Sequence, residues 1–282
     1  MTPSADPVER ATALERRILG YVERYDAARD ERAIFAFVYS LVLGNLAKVL
    51  AADGQRFDDR AWVATLAERF AERFFAAMDA IDHALGAAPR DREPTPEELY
   101  AAAPRPWAAV YLTIRNGGAY VYESFLFSMM AHLSHDLPLA LVAAKLERDG
   151  GGSHVRDFHR MNVVLADETE ALETALARRY NPLLPIFDRL AGRYGIFFSN
   201  YGIRMTRSIA WYNADRLLDP LSAADAQASI DRSTDAFVDF VRRPKERWLR
   251  VLLAISRFLL PRHHRWPKRR AGSSSAPART TR

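Results

Sequence analysis

Apolar residues recur at helical spacing along almost the whole of this chain, and no stretch alternates as a half-buried strand would. That pattern restricts the fold to helices packed on helices. Residues 8–27 carry Leu14, Ile18, Leu19 and Val22 on one face. Asp30 can cap a second helix holding Ile34, Phe35, Phe37, Val38, Leu41, Val42 and Leu46. Asp58 or Asp59 can cap a third, with Trp62, Leu66, Phe70, Phe74 and Phe75. Thr95 before Pro96-Glu97-Glu98 is a helix start with proline at the first helical position. Trp107–Ile114 is a further segment, and Gly117-Gly118 breaks or bends it. Tyr120–His135 is apolar nearly all round, the mark of a buried helix. Pro138 kinks or restarts that helix. After Gly150-Gly151-Gly152, Ser153 is positioned to cap a long helix reaching Tyr180. Asn181-Pro182 starts another, a further helix ends at Leu218, and residues 222–242 form an amphipathic one.

The expectation is therefore an all-α, single-domain multi-helix bundle over residues 1–242. A basic amphipathic helix and basic segment follow over 243–270, then a disordered tail over 271–282. A chain of 282 residues is long enough to bury one sizeable core. It has no cysteine, so disulfides, thiolate metal sites and cysteine nucleophiles are excluded. Charge is uneven. Residues 241–282 carry 13 Lys/Arg against one acid, whereas residues 1–240 carry 27 against 34. The tail thus combines an apolar face, aromatic anchors and cations, which suits an anionic membrane surface. An acidic domain and little aromatic interleaving in the tail argue against nucleic acid. With no signal-peptide pattern and no uncharged run of membrane-spanning length, the expected location is cytoplasmic, with membrane association through the tail.

Several motifs point to one family. They are Phe35-Ala36-Phe37-Val38-Tyr39 with Phe57-Asp58-Asp59, and Phe70-Ala71-Glu72-Arg73-Phe74 with Ala77-Met78-Asp79. Further along come Ala131-His132-Leu133-Ser134-His135-Asp136-Leu137, Asp157-Phe158 with Asn162, and Arg207 with Ala210-Trp211. Together they resemble a bacterial family known as domain of unknown function 5995, over roughly residues 30–218. The resemblance implies an all-helical fold and marks His132, Asp136, Asp157 and Asn162 as matching polar positions. It implies no particular activity.

The sharpest chemical signal is His132-x-x-x-Asp136, which puts an imidazole and a carboxylate on one helix face. Such a pair can share a divalent metal, zinc or magnesium, with His132, Asp136 and Asp157 as ligands. It can equally do acid/base work, with His132 as base and a carboxylate holding it. Asn162 would orient substrate or water. A third reading makes the pair a hydrogen-bonded lock between helices, and a fourth makes Asp136 the cap of a helix restarted at Pro138. The short glycine connection makes the Asp157 helix a candidate antiparallel neighbour of the His132 helix.

The His-x-x-x-Asp-x-Pro pattern is loosely similar to helical zinc phospholipases C and P1-type nucleases. Those families use further histidines that this chain, with seven in all and two in the tail, does not supply. Asn162-x-x-x-Ala166-x-x-x-Glu170 is faintly similar to the second metal motif of class I terpene synthases, but the central hydroxyl and the Asp-rich motif are missing. Arg204, Arg207 and Trp211 share a helix face. Arg207 needs a partner if buried, either a core carboxylate such as Asp136 or Asp157 or an anionic substrate group. The leading expectation is an enzyme with a His132/Asp136/Asp157/Asn162/Arg207 site acting on a small apolar or lipid-like molecule. The alternatives are a non-catalytic scaffold or lipid-binding module, and a divergent isoprenoid-processing enzyme. An enzyme requires these side chains to meet at an accessible pocket, whereas a scaffold seals them, mutually satisfied, away from any cavity.

Overall fold

A computed structural model describes residues 6–52, 56–88, 92–115, 121–182, 200–242 and 266. Within these, the elements are helical, joined to a single isolated bridge between Glu147 and Ser153. The helices are α1 (Pro7–Ala28), α2 (Arg32–Ala51), α3 (Arg60–Ala87), α4 (Pro96–Ala102), α5 (Arg105–Thr113) and α6 (Val121–Ala131). A π-helical turn, His132–Asp136, joins α6 to α7 (Leu137–Ala144); α8 (Val155–Tyr180), α9 (Asn200–Leu218) and α10 (Ala223–Arg242) follow.

Local chemistry sets the boundaries. Asp6 accepts from the Val8 amide and Asp59 from the Trp62 amide, satisfying donors that a helix start leaves open. Thr95 and Glu98 form a reciprocal capping box ahead of Pro96. Asp30 lies one residue before the N-cap of α2, yet its carboxylate still accepts from the Arg32 amide at 2.9 Å. Ser153 behaves similarly: His154 is the N-cap of α8, and the Ser153 hydroxyl accepts from the Val155 amide. Gly150, Gly151 and Gly152 all adopt φ near +97°, between 96° and 99°, which a residue with a Cβ resists.

Packing follows the patterning. α2 has no polar face, and buried residues run from Ala33 to Leu50 on all sides of it. It lies between α1, α6 and α8, while α7 packs against α3 and α9. α1 buries Ile18 and Val22, but the expected core position Leu19 is 40 % exposed. Two stretches, Arg32–Ala51 and Glu123–Ala144, are long and apolar enough to cross a membrane by length and composition; 67 % and 72 % of their windows are buried inside the protein. Both contain charged residues, Arg32 and Lys48 in the first and Glu123 and Asp136 in the second, so neither is an uncharged run. A buried core helix satisfies the same measure.

Pro138 explains the π turn. Proline has no N–H to offer the carbonyl four residues back, and its ring crowds that carbonyl. The chain widens instead, and the Leu137 amide donates to the His132 carbonyl five residues earlier. α7 then runs on with Pro138 in its first turn. The glycines at 117–118, the helix expected to follow Asn181-Pro182, the helix opened by Pro244 and the 271–282 tail lie outside the described residues. Trp266 is described: it is half-buried against the core, its ring 6.1 Å from that of Tyr180.

Candidate functional site

The His132–Asp136 pair forms as its spacing requires, and it is larger than a pair. Asp136 is 1 % exposed, and three side-chain donors converge on its carboxylate. His132 Nδ1 and Trp107 Nε1 reach Oδ2 at 2.9 and 2.8 Å, and His135 Nδ1 reaches Oδ1 at 2.8 Å. Burial alone would raise the Asp136 carboxyl, but hydrogen bonds from His132 and His135 outweigh it and hold the group below the usual carboxylate range. Burial pushes His132 below its ordinary value in spite of Asp136. Both directions describe one state, a neutral imidazole beside an ionised carboxylate. An ionised carboxylate only accepts, so His132 Nδ1 carries the proton and Nε2 is a bare lone pair; this tautomer is assigned from the network. Nε2 has no hydrogen-bond partner among the described residues. Asp136 does stand at the N-cap position of α7, but its backbone is helical and its side chain makes no cap hydrogen bond, because the inward-facing donors claim it.

Around His132 the surroundings are aromatic. Its ring stacks on Phe70, with centroids 3.6 Å apart and planes at 8°, and meets the edges of Tyr39 and Phe35. The ring borders a cavity of about 170 Å³. The walls come from α2 (Val38, Val42), α3 (Leu66, Ala67), α6 (Met129), α8 (Met161, Leu165, Leu172) and α9 (Ile203). The lining reaches the surface at Glu173, an exposed residue. Tyr39 also lines this cavity, and its hydroxyl is buried and without a hydrogen-bond partner among the described residues.

The long helix α8 is not packed flush against the His132 helix, as the short glycine connection had suggested. It packs against α2 and α9, and the cavity is bordered by residues of both helices. The five candidate residues consequently divide. His132, Asp157 and Arg207 border the cavity; Asp136 and Asn162 stand behind His132 and Arg207 respectively.

Asp157 is fully buried and accepts from the backbone amides of Asp58 and Asp59, each at 2.8 Å, just ahead of α3. Arg160 and Arg148 approach the same carboxylate at 3.2 and 3.4 Å. Its oxygens are therefore committed to tying α8 to the start of α3. With Asp136 also fully engaged, His132, Asp136 and Asp157 do not form the expected ligand set, and among the described residues no group of three or more His, Asp or Glu could hold a metal ion. The residues do not fit zinc or magnesium at this place. Asn162 is buried and Glu170 exposed, so those two positions of the terpene-synthase-like pattern do not converge either.

Arg207 is 4 % exposed and the sequence reading had favoured a carboxylate partner for it, Asp136 or Asp157. Among the described residues the structure gives it none. Nε donates to the Asn162 side-chain carbonyl at 2.6 Å and Nη2 to the Phe158 carbonyl at 3.0 Å, and the guanidinium lies over the Phe158 ring. The carboxylates it was expected to meet are already saturated by Trp107 and histidine donors, or by amides and other arginines. Burial pushes the group down to about 9, which still leaves it cationic at neutral pH. Arg204, on the same helix, is exposed.

Sequence reasoning missed Tyr39, Phe70 and Trp107 as site residues. Tyr39 and Phe70 sit inside motifs that marked the family resemblance, which was a usable signal. Trp107 had none, since its partner lies 29 residues away.

Fold and site together define an all-helical protein organised around an apolar cavity with a few buried polar groups on its wall. Residues 13–244 match the model of the family of unknown function DUF5995, and the chain belongs to that family. The match takes in most of α1 and all but the first residues of the helical domain, beyond the 30–218 span that the motifs covered. No curated protein and no solved structure matches the chain.

Proposed function

We propose that this chain takes a compact apolar molecule into the cavity bordered by α2, α3, α8 and α9, and that His132 acts there as a general base. The observation that carries the reading is a buried, neutral histidine whose ring borders a mostly apolar cavity and whose Nε2 has no hydrogen-bond partner among the described residues. Buried polar atoms normally have partners, so an orphan in a ring that borders a cavity calls for a ligand or a water to complete it. Asp136 is a positioning residue. It fixes the Nδ1–H tautomer and so directs the lone pair of Nε2, the arrangement that makes an imidazole a proton acceptor. Trp107 and His135 hold Asp136 in place in turn. The cavity volume is comparable with cavities that admit one small ring or a short alkyl chain.

The test uses hexan-1-ol, which has an apolar chain and one hydroxyl to donate to Nε2. Binding is followed by NMR through the indole N–H of Trp62, whose ring lines the cavity. Wild type is expected to bind one equivalent; Ala67→Phe, which fills the cavity, is expected to lose binding. His132→Phe should weaken it by up to about tenfold, the worth of one hydrogen bond. Affinity should also fall as pH drops below the ordinary histidine range in wild type and not in His132→Phe. The titratable groups in contact with His132 are Tyr39, raised by burial, and Asp136, which its hydrogen bonds hold below the usual carboxylate range, so both lie outside that window. Absent binding, or binding that Ala67→Phe leaves intact, sinks the cavity reading; pH-independent binding sinks the base.

A further inference from the structure

We infer that the ligand of this cavity is a small apolar anion, a carboxylate in particular, and that Arg207 reads its charge. The inference rests on the cavity reading above and adds what the ligand must carry. Among the described residues Arg207 is a buried cation without an acidic partner, whereas the other buried guanidinium, Arg32, has two carboxylates. A desolvated charge left without a counter-charge is costly, and folds retain such a group where something else supplies the opposite charge. Arg207 borders the cavity and is the sole Lys or Arg among its described lining residues. The two acids on that lining are otherwise placed. Asp157 is held by the α3 amides and by Arg148 and Arg160, and Glu173 is exposed at the surface.

The hydrogen bonds of Arg207 narrow the chemistry. Nε and Nη2 are fixed by Asn162 and Phe158, so the guanidinium cannot swing away, and its orientation is set before any ligand arrives. Nη1 makes no hydrogen bond among the described residues. One nitrogen left over suits one oxygen of a monoanion. A phosphate, with more acceptor oxygens and more charge to satisfy, would leave most of them against apolar walls. The apolar lining from Val38, Leu66, Met129 and Leu165 takes the rest of the molecule. Asn162, which the sequence marked as a site residue, is then a positioning residue for Arg207.

The experiment compares hexanoate with hexan-1-ol near neutral pH in wild type, Arg207→Met and Arg207→Lys, by the same Trp62 resonance. Wild type is expected to bind the acid at least about tenfold more tightly than the alcohol, the scale of a charge-assisted hydrogen bond. Arg207→Met should lose that preference, and Arg207→Lys should retain a weaker one. If wild type binds alcohol and acid alike, Arg207 does not read charge and this inference fails while the cavity reading stands. If neither probe binds, both fail together. If Arg207→Met keeps the preference for the acid, another cation supplies it and the assignment is overturned. The wild-type comparison decides the first point even where a variant does not fold.

Discussion

Replacing Asp136 with leucine tests the hub of the site. The carboxylate is buried and accepts from Trp107, His132 and His135 at 2.8–2.9 Å. Leucine keeps the branched shape, with bulkier methyls in place of the oxygens, and removes every acceptor, so three buried N–H groups lose their partner at once. A single buried donor left unsatisfied costs about 1–3 kcal/mol. Relaxation and water entry keep such losses from adding in full, and the loss of a buried, multiply bonded charge falls at about 3–5 kcal/mol. Against the roughly 5–15 kcal/mol that holds a domain folded, this is a large fraction. Asp136→Asn keeps one acceptor oxygen but turns an N–H₂ toward a donor, and about 2 kcal/mol is expected. Urea unfolding of the three proteins, with equal denaturant slopes, gives the differences directly. A double-mutant cycle with Trp107→Phe should show coupling of at least about 1 kcal/mol, because the two residues share a bond. A loss under about 1 kcal/mol for Asp136→Leu, or no coupling to Trp107, would refute the claim that this carboxylate organises the site.

Three other outcomes follow from the same geometry. Arg207→Met removes an uncompensated buried charge together with two hydrogen bonds, so stability within about 1 kcal/mol of wild type is expected by urea unfolding; a loss of several kcal/mol would mean Arg207 is there to hold the fold. Asp157→Ala should cost about 2–3 kcal/mol by unbinding the Asp58 and Asp59 amides, and hydrogen exchange at those two amides should quicken; unchanged exchange would contradict the tie between α8 and α3. His132 and His154 are both held below their ordinary values by burial, so the folded state binds fewer protons than the unfolded one. The stability this confers is complete above pH 6.5 and drains away as pH falls below it. The melting temperature should decline in that window, less steeply in His132→Phe; an unchanged slope would show that His132 is not the group responsible.

Much of the fold was legible because helices announce themselves locally. Asp59, Thr95 with Glu98, and the Gly150–Gly152 loop act through neighbours two or three residues away, and the sequence shows such neighbours. His132 and Asp136 were legible for the same reason, being four residues apart on one face. What failed was long-range. The partners of Asp157 lie about a hundred residues earlier, in the turn before α3, and spacing alone suggested a metal ligand where the fold makes an anchor. Arg207 was paired in anticipation with carboxylates whose valence other donors had already filled. The cavity belongs to no segment, since six helices and the π turn each contribute part of a wall. The π turn was signalled by Pro138, but proline alone does not distinguish a kink, a restart or a widened turn.

The most direct measurement of the central claim is the protonation of the two His132 ring nitrogens, read from ¹⁵N NMR shifts of histidine-labelled protein near neutral pH, before and after hexan-1-ol is added. The expected result is a protonated Nδ1, a bare Nε2, and an Nε2 shift that moves on addition of the alcohol and is absent in His132→Phe. A proton on Nε2, or a bare Nε2 that saturating alcohol leaves unmoved, would contradict the proposal that His132 faces a ligand in this cavity as a base.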